Sequence, residues 1–292
     1  MANLQEIPLF EDRWGFVFLE CGALDQDESS VSFSNARGAM RLPIDQCSMV
    51  LLGPGTTITH AAMKTLAKNN CLLCCTGEGG IRWYSHGTGG THSSHRLLRQ
   101  AGLWADETQR LPVARRMFSK RFSVPPDASL QQMRGMEGSR VRAAYRALAE
   151  EHGVEWKARR YDQGNWDYAD PLNRALSTAN ALLYGLCHAA ILSAGYSAAI
   201  GFIHTGKMLS FVYDVADFYK AEVTIPTAFA CVARGVSDLE RRVRMACREA
   251  FFHAGLKSRI LPDIAEVLDA PDDLEESPGE LEGRAVTLAD RT

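Results

Sequence analysis

The sequence predicts an α+β protein, with strands gathered in residues 1–88 and helices in residues 95–269. Three observations carry this. The apolar period is near two in the first segment and near 3.6 in the second. A small, polar stretch, 87-GTGGTHSS-94, separates them, and residues 89–94 read as a hinge. The closing stretch, 270–292, is acidic and holds Pro, Gly and little apolar material, so it reads as a flexible tail.

Within 1–88, four short runs rich in β-branched or aromatic residues read as strands: 14-WGFVFLEC-21, 48-SMVLLG-53, 71-CLLCCT-76 and 81-IRWYSH-86. Turn signals 53-GPG-55 and 77-GEGG-80 lie between them. One helix interrupts the strands, 59-THAAMKTLAKNN-70, with Thr59 as its N-cap and Asn69–Asn70 as its stop. Further helices are expected at 94–106, 108–121, 128–152, 171–195, 209–220, 224–234, 237–254 and 257–269. In 171–195, Leu172, Leu176, Ala179, Leu183, Leu186 and Ala190 follow steps of four and three. They form one apolar stripe on an Ala-rich helix.

The 292 residues suffice for two domains or one large one. The net charge of −3 hides an uneven distribution. Residues 96–160 carry fourteen Lys/Arg against seven Asp/Glu, a net +7, whereas 263–292 carry two against ten, a net −8. A basic middle attracts an anionic polymer, or is simply a solvated helix surface. The eight cysteines form no disulfide pattern. Cys187, Cys231 and Cys247 lie in apolar helical stretches, and Cys71, Cys74 and Cys75 in a strand. The one CxxC has no second CxxC or close His pair, so core thiols are expected rather than zinc. No basic–apolar–small leader pattern opens the chain, and no uninterrupted apolar run has bilayer length. A cytoplasmic location is expected.

The segment 201-GFIHTGKMLSFVYDVADFYK-220 concentrates chemistry. Asp214 and Asp217 are three apart on the expected 209–220 helix and share a face, with Lys220 at the next such step. His204 precedes them in a turn where Gly206 lets the chain reverse. Glu137 sits upstream in 134-RGMEGSR-140, beside Arg134 and Arg140, and Gly135 and Gly138 allow another backbone or a phosphate to approach. The bland reading is a solvated acidic face and a hydrogen-bonded histidine. Against it, the acids lie among Phe211, Val212, Tyr213, Val215, Phe218 and Tyr219. An unpaired buried charge costs several kcal/mol, so these acids need a partner. A metal is one such partner; an arginine from 134–160 is the other. Carboxylates with one imidazole suit Mg²⁺ or Mn²⁺, lean toward Mn²⁺, and leave Zn²⁺ open. Such an ion beside a phosphodiester polarises a phosphoryl oxygen and stabilises the attacking or leaving oxygen.

Other motifs carry less. Neither 77-GEGG-80 nor 87-GTGG-90 is a P-loop or a dinucleotide fingerprint, and there is no GxSxG elbow. His92 and His95 have no evident co-ligands. The stretch 159-RRYDQGNWDY-168 suits a base-stacking platform beside phosphate contacts, or an aromatic-anchored surface loop.

Three segments, 133-MRGMEGSRVRAAYRALAEEHGVEW-156, 159-RRYDQGNW-166 and 194-AGYSAAIGFIHTGKMLSFVYDVADFYK-220, together resemble the CRISPR adaptation integrase family, CRISPR-associated protein one, of type I-E kind. In the first half, 53-GPGTTITHAA-62 and 77-GEGGIRWYSHG-87 also fit, and the likeness spans roughly residues 8 to 260. The resemblance implies an amino-terminal β-sandwich-like dimerisation domain and an all-α, metal-dependent catalytic domain. It implies a homodimer, with two dimers flanking a dimer of a small companion adaptation protein in each integration complex. It assigns the metal ligands to Glu137, His204 and Asp217, with Asp214 as a nearby catalytic acid. DNA-binding positions are Tyr161, Trp166 and Lys207 near recognition of the flanking motif, Tyr184 near the active site, and Arg82 and Lys64 on DNA backbone. Arg134, Arg140 and Lys220 are read with them. One departure stands out: Cys21 occupies a place where relatives can carry a duplex-stacking Tyr, and Cys does not stack as Tyr does.

The function expected is joining of 3′-OH ends of captured double-stranded DNA to a CRISPR repeat by transesterification, with Mg²⁺ or Mn²⁺. A general metal-dependent nuclease for branched DNA and a non-catalytic DNA scaffold, whose acids merely pair with arginines, are the alternatives.

Overall fold

The computed structural model of the chain describes residues 13, 15–28, 30–77, 83–87, 94–125, 127–156 and 170–269. Outside them lie residues 89–93 of the expected hinge, 78–80 of the Gly-rich turn, Arg82, the stretch carrying Tyr161 and Trp166, and the acidic tail. The fold class is α+β as expected.

In chain order the strands are β1 (Val17–Leu19), β2 (Gly22–Asp27), β3 (Ser30–Asn35), β4 (Gly38–Leu42), β5 (Met49–Leu52), β6 (Thr56–Ile58), β7 (Leu72–Thr76) and β8 (Trp83–Gly87). They form two four-stranded sheets, ordered β1-β5-β7-β8 and β4-β3-β2-β6. In the first, β1, β5 and β7 run parallel and β8 returns antiparallel. In the second, β2, β3 and β4 form an antiparallel meander, and β6 joins β2 in parallel. The four strands expected from sequence build the first sheet. The whole second sheet lay outside that expectation, because its strands bury one face only and read as polar loop. In β3, for example, only Val31 and Phe33 are buried.

All four residues of β5 are buried. Met49 and Leu51 join Leu72 and Cys74 in the helical core, while Val50 and Leu52 join Leu24, Val31, Phe33 and Leu66 in a second core between strands. A parallel strand covered on both sides reads as a continuous apolar run.

The helices are α1 (His60–Lys68), α2 (His95–Ala105), α3 (Glu107–Ser119), α4 (Leu130–His152), α5 (Pro171–Ser193), α6 (Ser210–Ala216), α7 (Ile225–Ala233), α8 (Leu239–His253) and α9 (Leu256–Val267). Thr59 caps α1 by accepting from the Ala62 amide, as its position predicts. α4 opens with a reciprocal Ser129–Gln132 capping box and closes at Gly153 in the left-handed conformation.

Two expectations are corrected. The stripe on α5 is too narrow: Asn173, Thr178, Asn180 and His188 are buried as well, because other helices pack around it. Its length and apolar composition would let α5 cross a membrane, the only such helix among the described residues, yet it is the centre of the core. The 209–220 helix also breaks. α6 stops at Ala216 with Asp217 at its end, and a π-helical turn, Lys220–Thr224, leads into α7. Pro226 supplies the reason for the wide turn. It has no amide for the Glu222 carbonyl, and its ring crowds that position in a regular α-helix.

Candidate active site

The site is built on the loop between α5 and α6. Gly201 permits its first turn: a Cβ there would lie 2.7 Å from the Ser210 carbonyl carbon, closer than real contacts allow. Gly206, at φ +81°, makes the expected reversal. Ser210 closes the loop, accepting from the Lys207 amide at 3.0 Å and donating to its carbonyl at 2.8 Å.

Neighbouring helices clamp this loop. From α2, Gln100 donates to the carbonyls of Ser197 and Ile200 and accepts from the Ser197 amide. Trp104 donates to the Gly201 carbonyl at 3.1 Å. From α4, Arg134 donates to the Ile203 carbonyl at 2.6 Å.

Asp214 gathers the loop from below. Its carboxylate accepts from the amides of Phe202, Ile203 and His204 at 2.6, 3.0 and 2.8 Å. It also contacts His204 Nδ1 at 2.7 Å, and it has no solvent exposure. With Asp214 accepting, Nδ1 is the donor and Nε2 is the nitrogen turned toward Asp217. The Asp214 oxygens are thus committed to the loop and the ring, unlike those of Asp217.

Nε2 of His204 faces Oδ2 of Asp217 across 4.0 Å. Oδ1 of Asp217 binds the Lys220 ammonium at 2.5 Å. Its Oδ2 also accepts from Arg121 Nη1 at 3.3 Å, and the same Nη1 contacts Glu137 Oε1. Arg121 lies just past the end of α3, its guanidinium 4.7 Å from the Phe118 ring centre. So an arginine does partner these acids, but it comes from residue 121 rather than from 134–160.

These contacts set the charges. Burial pushes the Glu137 carboxyl up, and neighbouring Asp217 adds to this against the opposing Arg121. Burial would raise Asp217 too, but Lys220 and Arg121 outweigh it and hold that carboxyl below its ordinary value. Burial opposes the charge on Lys220, yet Asp217 and Tyr184 raise its pKa overall. The Lys220 ammonium sits 4.7 Å from the Tyr184 ring centre, and Tyr184 packs edge-on against Tyr213.

Among the described residues, no three His, Cys, Asp or Glu side chains form a ready-made metal cage. Glu137 reaches Asp217 through Arg121. The donor set nevertheless fits a hard divalent cation. An imidazole nitrogen and a carboxylate oxygen face one another across 4.0 Å, and a second carboxylate shares the same arginine, so His204, Asp217 and Glu137 would suit Mg²⁺ or Mn²⁺.

Glu137, His204, Asp214, Asp217, Lys220 and Tyr184 thus come together. Lys207 is exposed on the loop, and Lys64 is exposed on α1 in the strand-rich half. Arg140 stacks over Phe122 at 5.4 Å and lines an open depression of about 700 Å³ with Ser123, Gly135, Met136 and Ser139. Among the described residues no backbone approaches Gly135 or Gly138: a Cβ at the first meets nothing within 4 Å, and at the second only the Arg142 guanidinium. Arg121, Gln100, Trp104 and Gly201 are the site residues that sequence reasoning missed. No spacing distinguishes Arg121 from its basic neighbours in 115-RRMFSKRF-122.

Residues 119–247 match the family described as CRISPR associated protein Cas1. The chain is 44% identical to CRISPR-associated endonuclease Cas1 2 of Thermus thermophilus, over 94% of this chain and 87% of that one. It is 43% identical to CRISPR-associated endonuclease Cas1 of Escherichia coli, over 91% and 88%. A solved TtCas1–DNA complex superposes with a TM-score of 0.81 at 42% identity, covering 92% of this chain and 99% of that one. The chain belongs to the Cas1 family, the endonucleases and integrases of CRISPR adaptation.

Proposed function

We propose that Glu137, His204 and Asp217 hold Mg²⁺ or Mn²⁺ and that the chain joins captured DNA to a CRISPR repeat by transesterification. The observation that carries this is the His204 ring, fixed by Asp214 so that Nε2 is presented to Asp217. When bound, the metal supplies Lewis-acid stabilisation of charge on the target phosphate. The incoming 3′-oxygen forms a bond to phosphorus as the repeat strand's 3′-oxygen leaves, and a proton passes from the attacking hydroxyl to the leaving oxygen overall. One phosphodiester replaces another, so no nucleotide energy source is required.

The chain's own groups divide the labour. Asp214 orients the imidazole and fixes its tautomer. Lys220 holds one oxygen of Asp217, which aims the other at the site. Lys207 and Arg140 are exposed and are proposed as phosphate contacts. The TtCas1–DNA complex supports DNA as the ligand here too, which we take to be double-stranded. Tyr184 then lies beside the reacting strand, and Tyr161, Trp166, Arg82, Arg134 and Lys64 remain proposed DNA contacts. The proposed working assembly is two homodimers flanking a dimer of the small companion protein, in the cytoplasm.

The purified protein, mixed with its companion, short DNA duplexes and a repeat-bearing plasmid in Mn²⁺ or Mg²⁺, should yield joined products. Cutting without joining would replace this reading with a general nuclease for branched DNA.

A further inference from the structure

Arg121 is the buried cation of this site. Its side chain is 7% exposed, and its Nη1 alone serves both Glu137 and Asp217. The Asp217 oxygen it uses, Oδ2, is also the one facing His204 Nε2. The guanidinium therefore binds the same oxygens that the proposed metal needs. Its Nε is turned back to the Met117 carbonyl at 3.3 Å. Its Nη2 is buried and finds no hydrogen-bond acceptor among the described residues. A buried donor without an acceptor is costly, so this guanidinium position is poorly satisfied even though its charge is neutralised. Of the two local cations, Lys220 is differently placed: it takes Oδ1 of Asp217 and the face of Tyr184, and leaves Oδ2 alone.

We infer that Arg121 and the divalent cation are alternative occupants of the same carboxylate pair, so that metal binding displaces the Arg121 guanidinium from Glu137 and Asp217. This rests on the metal-site reading above. Arg121 is then a positioning residue: it keeps two like charges together until the metal replaces it, and it sets how much metal is needed.

The test is calorimetric titration of MnCl₂ into the full-length protein and into Arg121→Gln and Arg121→Lys. Removing a competing cation should tighten Mn²⁺ binding by about tenfold or more in Arg121→Gln, because each tenfold corresponds to one modest electrostatic contact. Arg121→Lys, with a compact ammonium in place of the fork, should fall between. In EDTA, Arg121→Gln should melt below the parent, and Mn²⁺ should raise its melting temperature by more than it raises the parent's. If Arg121→Gln does not fold, Arg121→Lys carries the test alone. Unchanged or weaker Mn²⁺ binding in a folded variant overturns the exchange. Glu137→Ala separates the two layers of the argument. Loss of Mn²⁺ binding there, with no response to Arg121, leaves the metal site standing and refutes only the exchange. Absence of Mn²⁺ binding in the parent protein refutes both.

Discussion

Two acids three residues apart, Asp214 and Asp217, anchor opposite kinds of region. Around Asp214, three backbone amides and an imidazole converge on one unexposed carboxylate, and the amides cannot leave without unmaking the loop. Around Asp217, the partners are side chains: Lys220, Arg121 and, at 4.0 Å, His204. Backbone partners fix a shape. Side-chain partners can be exchanged for a ligand of the same charge. The contrast teaches that one carboxylate is tied to backbone and the other to side chains, the one proposed above for metal binding, although both look alike in the sequence.

The sharpest way to break this contrast is Asp214→Ala. It leaves three amides without their acceptor, and the expected loss is about 4 kcal/mol or more of stability. Urea denaturation measures it, and a midpoint equal to that of the parent would remove the distinction between the two acids. Next comes Gly201→Ala, whose Cβ meets the Ser210 carbonyl carbon. Its cost should be about 2 kcal/mol, as for other overpacking changes. His204→Ala should change stability by less than about 1 kcal/mol, yet strand joining should fall to background while DNA binding persists. Gel-shift and joining assays on one preparation separate those outcomes, and retained joining would remove His204 from the metal site. The smallest effect belongs to Lys207→Ala. DNA affinity should weaken similarly across sequences, and the slope of log affinity against log salt should drop by about 1. A sequence-selective loss instead would make Lys207 a base reader.

That the acids need partners was legible in the sequence because they sat in an apolar helix, where a partner is physically obligatory. The partner's identity was not legible. Arg121 approaches from the end of α3, and nothing in 115-RRMFSKRF-122 marks one arginine of several for burial. Likewise, a 3.6 period carried the expected helix through Lys220, whereas Pro226 acts backward on the preceding turn and widens it. The first sheet was visible because its strands are apolar on both faces. The second was hidden by its solvent-facing half, although the strict alternation of 30-SVSFSN-35 is a period-two signal that could have found β3.

β5 has a consequence for how the molecule comes apart. Its odd and even residues belong to different cores, so one four-residue ladder is common property of the strand-rich and helical halves. Melting either core removes the backing from the other, and amide protons of Met49–Leu52 should exchange only through global opening. A helical fragment starting at residue 95 would lose Met49 and Leu51 from the core that they share with α5. Such a fragment should aggregate rather than report on catalysis, whatever active-site residues it retains.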